Sequence, residues 1–137
     1  MIYFERGGPR EEIGPAELSA GMRAALDRLG HRRSVLAVPH DFTRLQSQAG
    51  PLTRAAYDHY GERLTAVLPA LGTHAPMSDR QIETMFAGVP RGLFRNHNWR
   101  TDVMTLGTIE PDFVREQSEG RLDFDWPAQV NRMLVEG

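Results

Sequence analysis

Between Pro15 and Leu29 the apolar positions Leu18, Met22, Leu26 and Leu29 recur every three or four residues, the spacing that lines one face of an α-helix. Pro15 suits a first helical turn and Gly30 a stop. At 34–39 the period changes. "SVLAVP" is a short, continuous, partly β-branched apolar run ending in a polar loop, the pattern of a parallel strand covered on both faces. A second helix is expected over 52–63. "LTAVLPAL" then repeats the strand signal and "SDRQIETMFAG" the helix signal, with Ser78 and Gln81 spaced as a capping box and Gly88 as a stop. Strand, loop, helix, strand, loop, helix is the order of βαβ units. It predicts an α/β fold, a Rossmann-like open sheet, mostly parallel, with helices on its faces, in which 34–38 and 64–68 are parallel neighbours. Beyond Pro90 the pattern weakens; short strands are expected at 93–98 and 103–108, then an irregular or hairpin region, and a last element near 130–134.

Length and charge narrow this picture. A chain of 137 residues suits a single domain, residues 1–137, able to bury roughly two-thirds of its extended surface. Sixteen basic against 18 acidic residues leave a net charge of −2, which gives no field to draw in nucleic acid or an anionic membrane. No apolar run is long enough to span a bilayer, and the opening "MIYFERGGPREE" lacks the layout of a signal peptide. A cytoplasmic setting is expected. Without cysteine, a metal would have to rest on His, Asp and Glu. Without lysine, no Schiff-base or lysine-linked cofactor can be carried by this chain.

In an open α/β sheet, ligands sit beyond the carboxyl ends of the strands, where loops converge. The chemically capable residues fall in three such loops: His40, Asp41, Thr43 and Arg44 in "PHDFTRL", Thr73 and His74 in "GTHAPM", and His97, Asn98 and Arg100 in "FRNHNWR". Each has a plain structural alternative. Asp41 suits a turn cap and Thr43 a local backbone hydrogen bond. Arg44 suits either a solvated surface or a bidentate grip on carboxylate or phosphate. His74 follows Gly72, which lets backbones approach closely, and is either a loop hydrogen-bonder or an acid/base group. His97, beside Trp99, suits packing as well as a ligand contact. His40 is a neighbour of the loops; His31 and His59 read as a helix-end and a helix-face residue.

Taken together, "DFTR" at 41–44, "ALGTHAPM" at 70–77 and the later "HNWRTDVMTLGTI" resemble the N-terminal part of the lactate racemase family, whose members use a nickel-pincer nucleotide. The likeness runs in order from about residue 34 to the C-terminus. It implies a racemase or epimerase of a 2-hydroxy acid that works by transient oxidation, with hydride passing to the cofactor and back. It implies Asp41, Thr43 and Arg44 beside the cofactor, Arg44 and His97 toward the substrate, and His74 with Arg44 as catalytic residues, His74 being the acid/base. Two positions depart from the pattern. Ala75 stands where arginine is common and Leu45 where proline is common, which points from lactate toward another 2-hydroxy acid such as a larger sugar acid. In the family the lysine that ties the cofactor, the histidine that holds nickel and a second acid/base histidine lie downstream. The resemblance therefore implies an N-terminal fragment whose partner is the remainder of the enzyme, inactive by itself, with cofactor and metal held elsewhere.

Two other classes stay open on the residues alone. One is a stand-alone Rossmann-like domain that binds a small anion without catalysis. The other is a metal-dependent hydrolase with His40, Asp41, His74 and His97 as ligands, for which no helical His-x-x-x-His pair is present.

Overall fold

Helix α1 spans Pro15–Leu29 in the computed structural model, which describes residues 1–136. Pro15 occupies its first turn, the Glu17 carboxylate accepts the Gly14 N–H at 3.0 Å, and Gly30 leaves it at a φ of +71°. Strand β1, Val35–Ala37, follows and then a six-residue 3-10 turn, Phe42–Ser47. Helix α2, Ala49–Tyr60, begins three residues before the expected start and passes into a short 3-10 turn, Gly61–Arg63, at Gly61, whose φ is +56°. Strand β2, Leu64–Val67, runs parallel to β1, with Val35 opposite Leu64 and Ala37 opposite Val67. Helix α3, Asp79–Met85, starts on the expected capping box: Ser78 Oγ accepts the Gln81 N–H at 3.3 Å, and the Gln81 side chain accepts the Ser78 N–H at 2.8 Å.

One core joins these elements. Leu26 of α1, Leu64 and Val67 of β2, and Ile82, Met85 and Phe86 around α3 are all buried together. Helix α2 packs on both strands and α1 packs on α2, because each brings an apolar stripe that water disfavours.

The expected Rossmann-like, mostly parallel open sheet is not what forms. There are two separate two-stranded sheets, β1 with β2 in parallel, and β3 (Val103–Ile109) with β4 (Trp126–Asn131) antiparallel. The segment 93–98 was expected to be a short strand, yet it makes a single bridge, Phe94 to Val67. Its apolar run is too short: the 3-10 turn Arg91–Leu93 precedes it, and Arg95, Asn96, His97 and Asn98, weak strand formers, follow. The last expected element falls across the end of β4 and helix α5, Met133–Glu136. Between β3 and β4 lies a helix, α4 (Pro111–Gln117), where an irregular or hairpin region was expected; Pro111 at its first turn is the signal for it.

The chain divides into two compact units, Met1–His97 and Asn98–Gly137. Among the described residues, no helix is long and apolar enough to cross a membrane.

Candidate functional site

Parallel pairing of β1 and β2 sets the geometry of the two loops that follow them. The ladder is prolonged by a bridge between His40 and Ala70, where the Ala70 N–H donates to the Pro39 carbonyl at 2.8 Å. Asp41 is thus one residue beyond one strand of the bridge and His74 four beyond the other. The Gly72 φ of +56° turns the second loop, and the His74 N–H closes it on the Leu71 carbonyl at 2.9 Å. The consequence is a side-chain contact: His74 Nδ1 lies 2.7 Å from Asp41 Oδ2.

Asp41 is 5% exposed, so its charge must be met from within the protein. Its other oxygen, Oδ1, accepts the Thr43 hydroxyl at 2.5 Å and the Thr43 N–H at 3.1 Å, which makes Asp41 the cap of the 3-10 turn. Burial pushes its carboxyl up, but the Thr43 hydroxyl, the His74 ring and the Thr43 N–H together outweigh burial and hold it below its ordinary value. Asp41 is therefore a carboxylate at neutral pH. A carboxylate only accepts, so His74 Nδ1 carries the proton and donates it. Nε2 is then the nitrogen left for other chemistry, on a side chain that is 56% exposed.

Arg44 belongs to the same turn and is exposed; its N–H donates to the Asp41 carbonyl at 3.0 Å, and its guanidinium makes no ion pair among the described residues. The structure brings Asp41, Thr43 and His74 into one hydrogen-bonded group with Arg44 beside it in the chain. His97 lies outside that group, half-buried beyond the Phe94 bridge. His40 is exposed at the base of the first loop. Among the described residues no three His, Cys, Asp or Glu side chains are grouped so that they could hold a metal ion.

That Asp41, Arg44 and His74 open on one edge of the sheet was expected; the direct hydrogen bond between Asp41 and His74 was not. The signal was present in the parallel-neighbour strands, because loops leaving adjacent parallel strands at the same level emerge side by side.

No family model matches the chain, and no curated protein matches it. One solved structure does, a crystal structure of a Thermotoga maritima protein determined in structural genomics. It aligns with a TM-score of 0.79 at 28% identity, over 90% of this chain and 31% of that one. The chain thus spans less than a third of the length of the Thermotoga protein.

Proposed function

We propose that Asp41 and His74 form the acid/base dyad of a racemase or epimerase acting on a 2-hydroxy acid. The observation that carries this reading is the 2.7 Å contact between His74 Nδ1 and a buried, ionised Asp41. Such a contact fixes the ring's tautomer and aims Nε2 outward, where it takes or returns the proton of a substrate hydroxyl. A proton on Nε2 makes a cation that faces the carboxylate. Arg44, with its free guanidinium fork, is the grip for the substrate's carboxylate. Thr43 supports the dyad through Asp41.

The nickel-pincer nucleotide of the resembling family does not find its anchor in these residues. There is no lysine to tie it; Asp41, Thr43 and Arg44 would stand beside it and not carry it. Its attachment, and the rest of the reaction, are assigned to polypeptide outside this chain. The cysteine-free composition suits a cytoplasmic setting for that enzyme.

The test is His74→Asn in the complete, cofactor-loaded protein, with interconversion of a 2-hydroxy acid followed by chiral chromatography. Turnover is expected to drop about 10²–10⁴-fold with the unfolding midpoint unchanged. Arg44→Lys is expected to weaken substrate binding, because a point charge does not reproduce a bidentate fork. Normal turnover in a stably folded His74→Asn protein removes the dyad from the chemistry and leaves the anion-binding reading, which the unpaired Arg44 favours.

A further inference from the structure

Strand β1 has the residues of an interior strand and the position of an edge. Val35, Leu36 and Ala37 are uniformly apolar, yet all three are only half-buried and Val38 directly after them is 47% exposed. In β2, of similar composition, Leu64 is 1% and Val67 0% exposed. The cause of the contrast is the far side of β1. Its sheet holds β1 and β2 alone. The carbonyls of Ala37 and Pro39 accept from the amides of Leu68 and Ala70, each at 2.8 Å, so the alternation along the strand turns the backbone groups of Leu36 and Val38 away from β2. Among the described residues no strand meets them. Edges that stay free are ordinarily guarded by shortness, a charge, a bulge or a proline; β1 is short and its register with β2 shifts between Val35 and Leu36, but Val35 to Val38 carries no charge and no proline.

A groove of about 720 Å³ runs beside this edge, walled by Met22, Leu26 and Leu29 of α1, Leu52 and Ala56 of α2, and Val35. Arg32 reaches into it at the start of the strand. Neither Arg32 nor its neighbour Arg33 has a carboxylate partner among the described residues: Arg32 donates to the His31 carbonyl, and the nearby Asp27 faces His59 at 3.6 Å. The surface is mostly apolar, with Ser34, Ser47 and Thr53 among its lining and Arg32 at the start of the strand.

We propose that this edge and groove receive an extended segment of polypeptide from outside these 137 residues, apolar at its centre and acidic where it meets Arg32 and Arg33, which adds to β1 as a further strand. Strand addition satisfies the free backbone groups and covers the groove in one step. A second copy pairing through its own β1 supplies more arginine and no carboxylate. The proposal is independent of the chemistry assigned to His74.

The probe is a fluorescent nine-residue peptide of alternating valine and threonine with two aspartates at each end, titrated against the full 137-residue chain by anisotropy. A twin peptide carries lysines at the ends instead. The acidic peptide is expected to bind at least about tenfold more tightly than its twin, as fits two charge-assisted contacts. The Arg32→Glu/Arg33→Glu double variant, on an exposed rim and thus still folded, is expected to reverse the preference. N-methylation of alternate amides on one edge of the peptide is expected to abolish binding, and on the other edge to leave it. Equal binding of the two peptides, insensitivity to N-methylation, or no binding at all overturns the proposal. So does a concentration-dependent dimer of the chain alone that Val38→Asp dissolves, which assigns the edge to a second copy.

Discussion

Asp41 bears the heaviest demand of any side chain in the candidate site, because a carboxylate that is 5% exposed is tolerable only while its donors stay in place. Its carboxyl lies below its ordinary value of 3.8 in the folded protein. The sign follows by linkage: a depressed folded value contributes stability that is complete above the ordinary value and lost as pH falls through the depressed one. Thr43→Val removes the hydroxyl donor and keeps the shape. It is expected to cost about 1 kcal/mol at neutral pH, and because the folded value moves back toward the ordinary one, the stability lost on acidification below the ordinary value is expected to be smaller than in the unmodified chain. Urea unfolding midpoints measured from about pH 2 to pH 6 check this, and parallel pH profiles for the two proteins contradict it. At this scale the sequence made residue types and loops legible: Asp41, Thr43, Arg44 and His74 stand out as polar groups following apolar strands. The bond between residues 33 positions apart was not legible, because it depends on how two turns aim two side chains.

Gly50 shows how an element's position is set by the absence of an atom. A Cβ at Gly50, in the first turn of α2, would lie 1.8 Å from the Met85 carbonyl oxygen at the end of α3. Only glycine lets those two backbones meet so closely. Since α2 directly follows the turn that carries Thr43 and Arg44, this approach also seats the candidate site. Gly50→Ala gains helix propensity but forces two helices apart, and overpacking of this kind costs on the order of 1–3 kcal/mol. A lowered melting temperature is expected, together with weakened protection of the Thr43 amide; an unchanged or raised melting temperature sinks the argument. Elements with their own local signals are legible in the sequence: α1 from its period and flanking Pro15 and Gly30, and α3 from the Ser78–Gln81 box. The 3-10 turn at Phe42–Ser47 was not, since it is held by Asp41 as cap and contains Arg44 at a φ of −114° and ψ of 39°, outside helical values. Periodicity does not report such a turn.

Across the whole chain, burial is divided unequally between the two units. The large buried cluster, from Leu26 through Val67 to Phe94, lies within Met1–His97. In the second unit Val114 is the one buried apolar residue among those described, while Leu106, Phe113 and Trp126 are 59%, 55% and 45% exposed. Strand-like composition at 103–108 was legible and β3 forms there, but composition says nothing about the partner that a strand will choose; β3 pairs antiparallel with β4 in a sheet of its own, so the fold is not the mostly parallel open sheet expected of the whole chain. A two-stranded sheet with its side chains in water has little to hold it shut. Local opening should therefore differ between the units, since the free energy of opening follows buried apolar contact. Amide hydrogen exchange on the full chain is expected to show Leu64–Val67 protected about 100-fold or more beyond Val103–Ile109, a factor corresponding to roughly 2.7 kcal/mol between their opening reactions. Heating is expected to release the second set of amides before the first. Equal protection of β2 and β3, with a single melting transition shared by both, would show that the second unit draws its stability from the first and not from its own sparse packing.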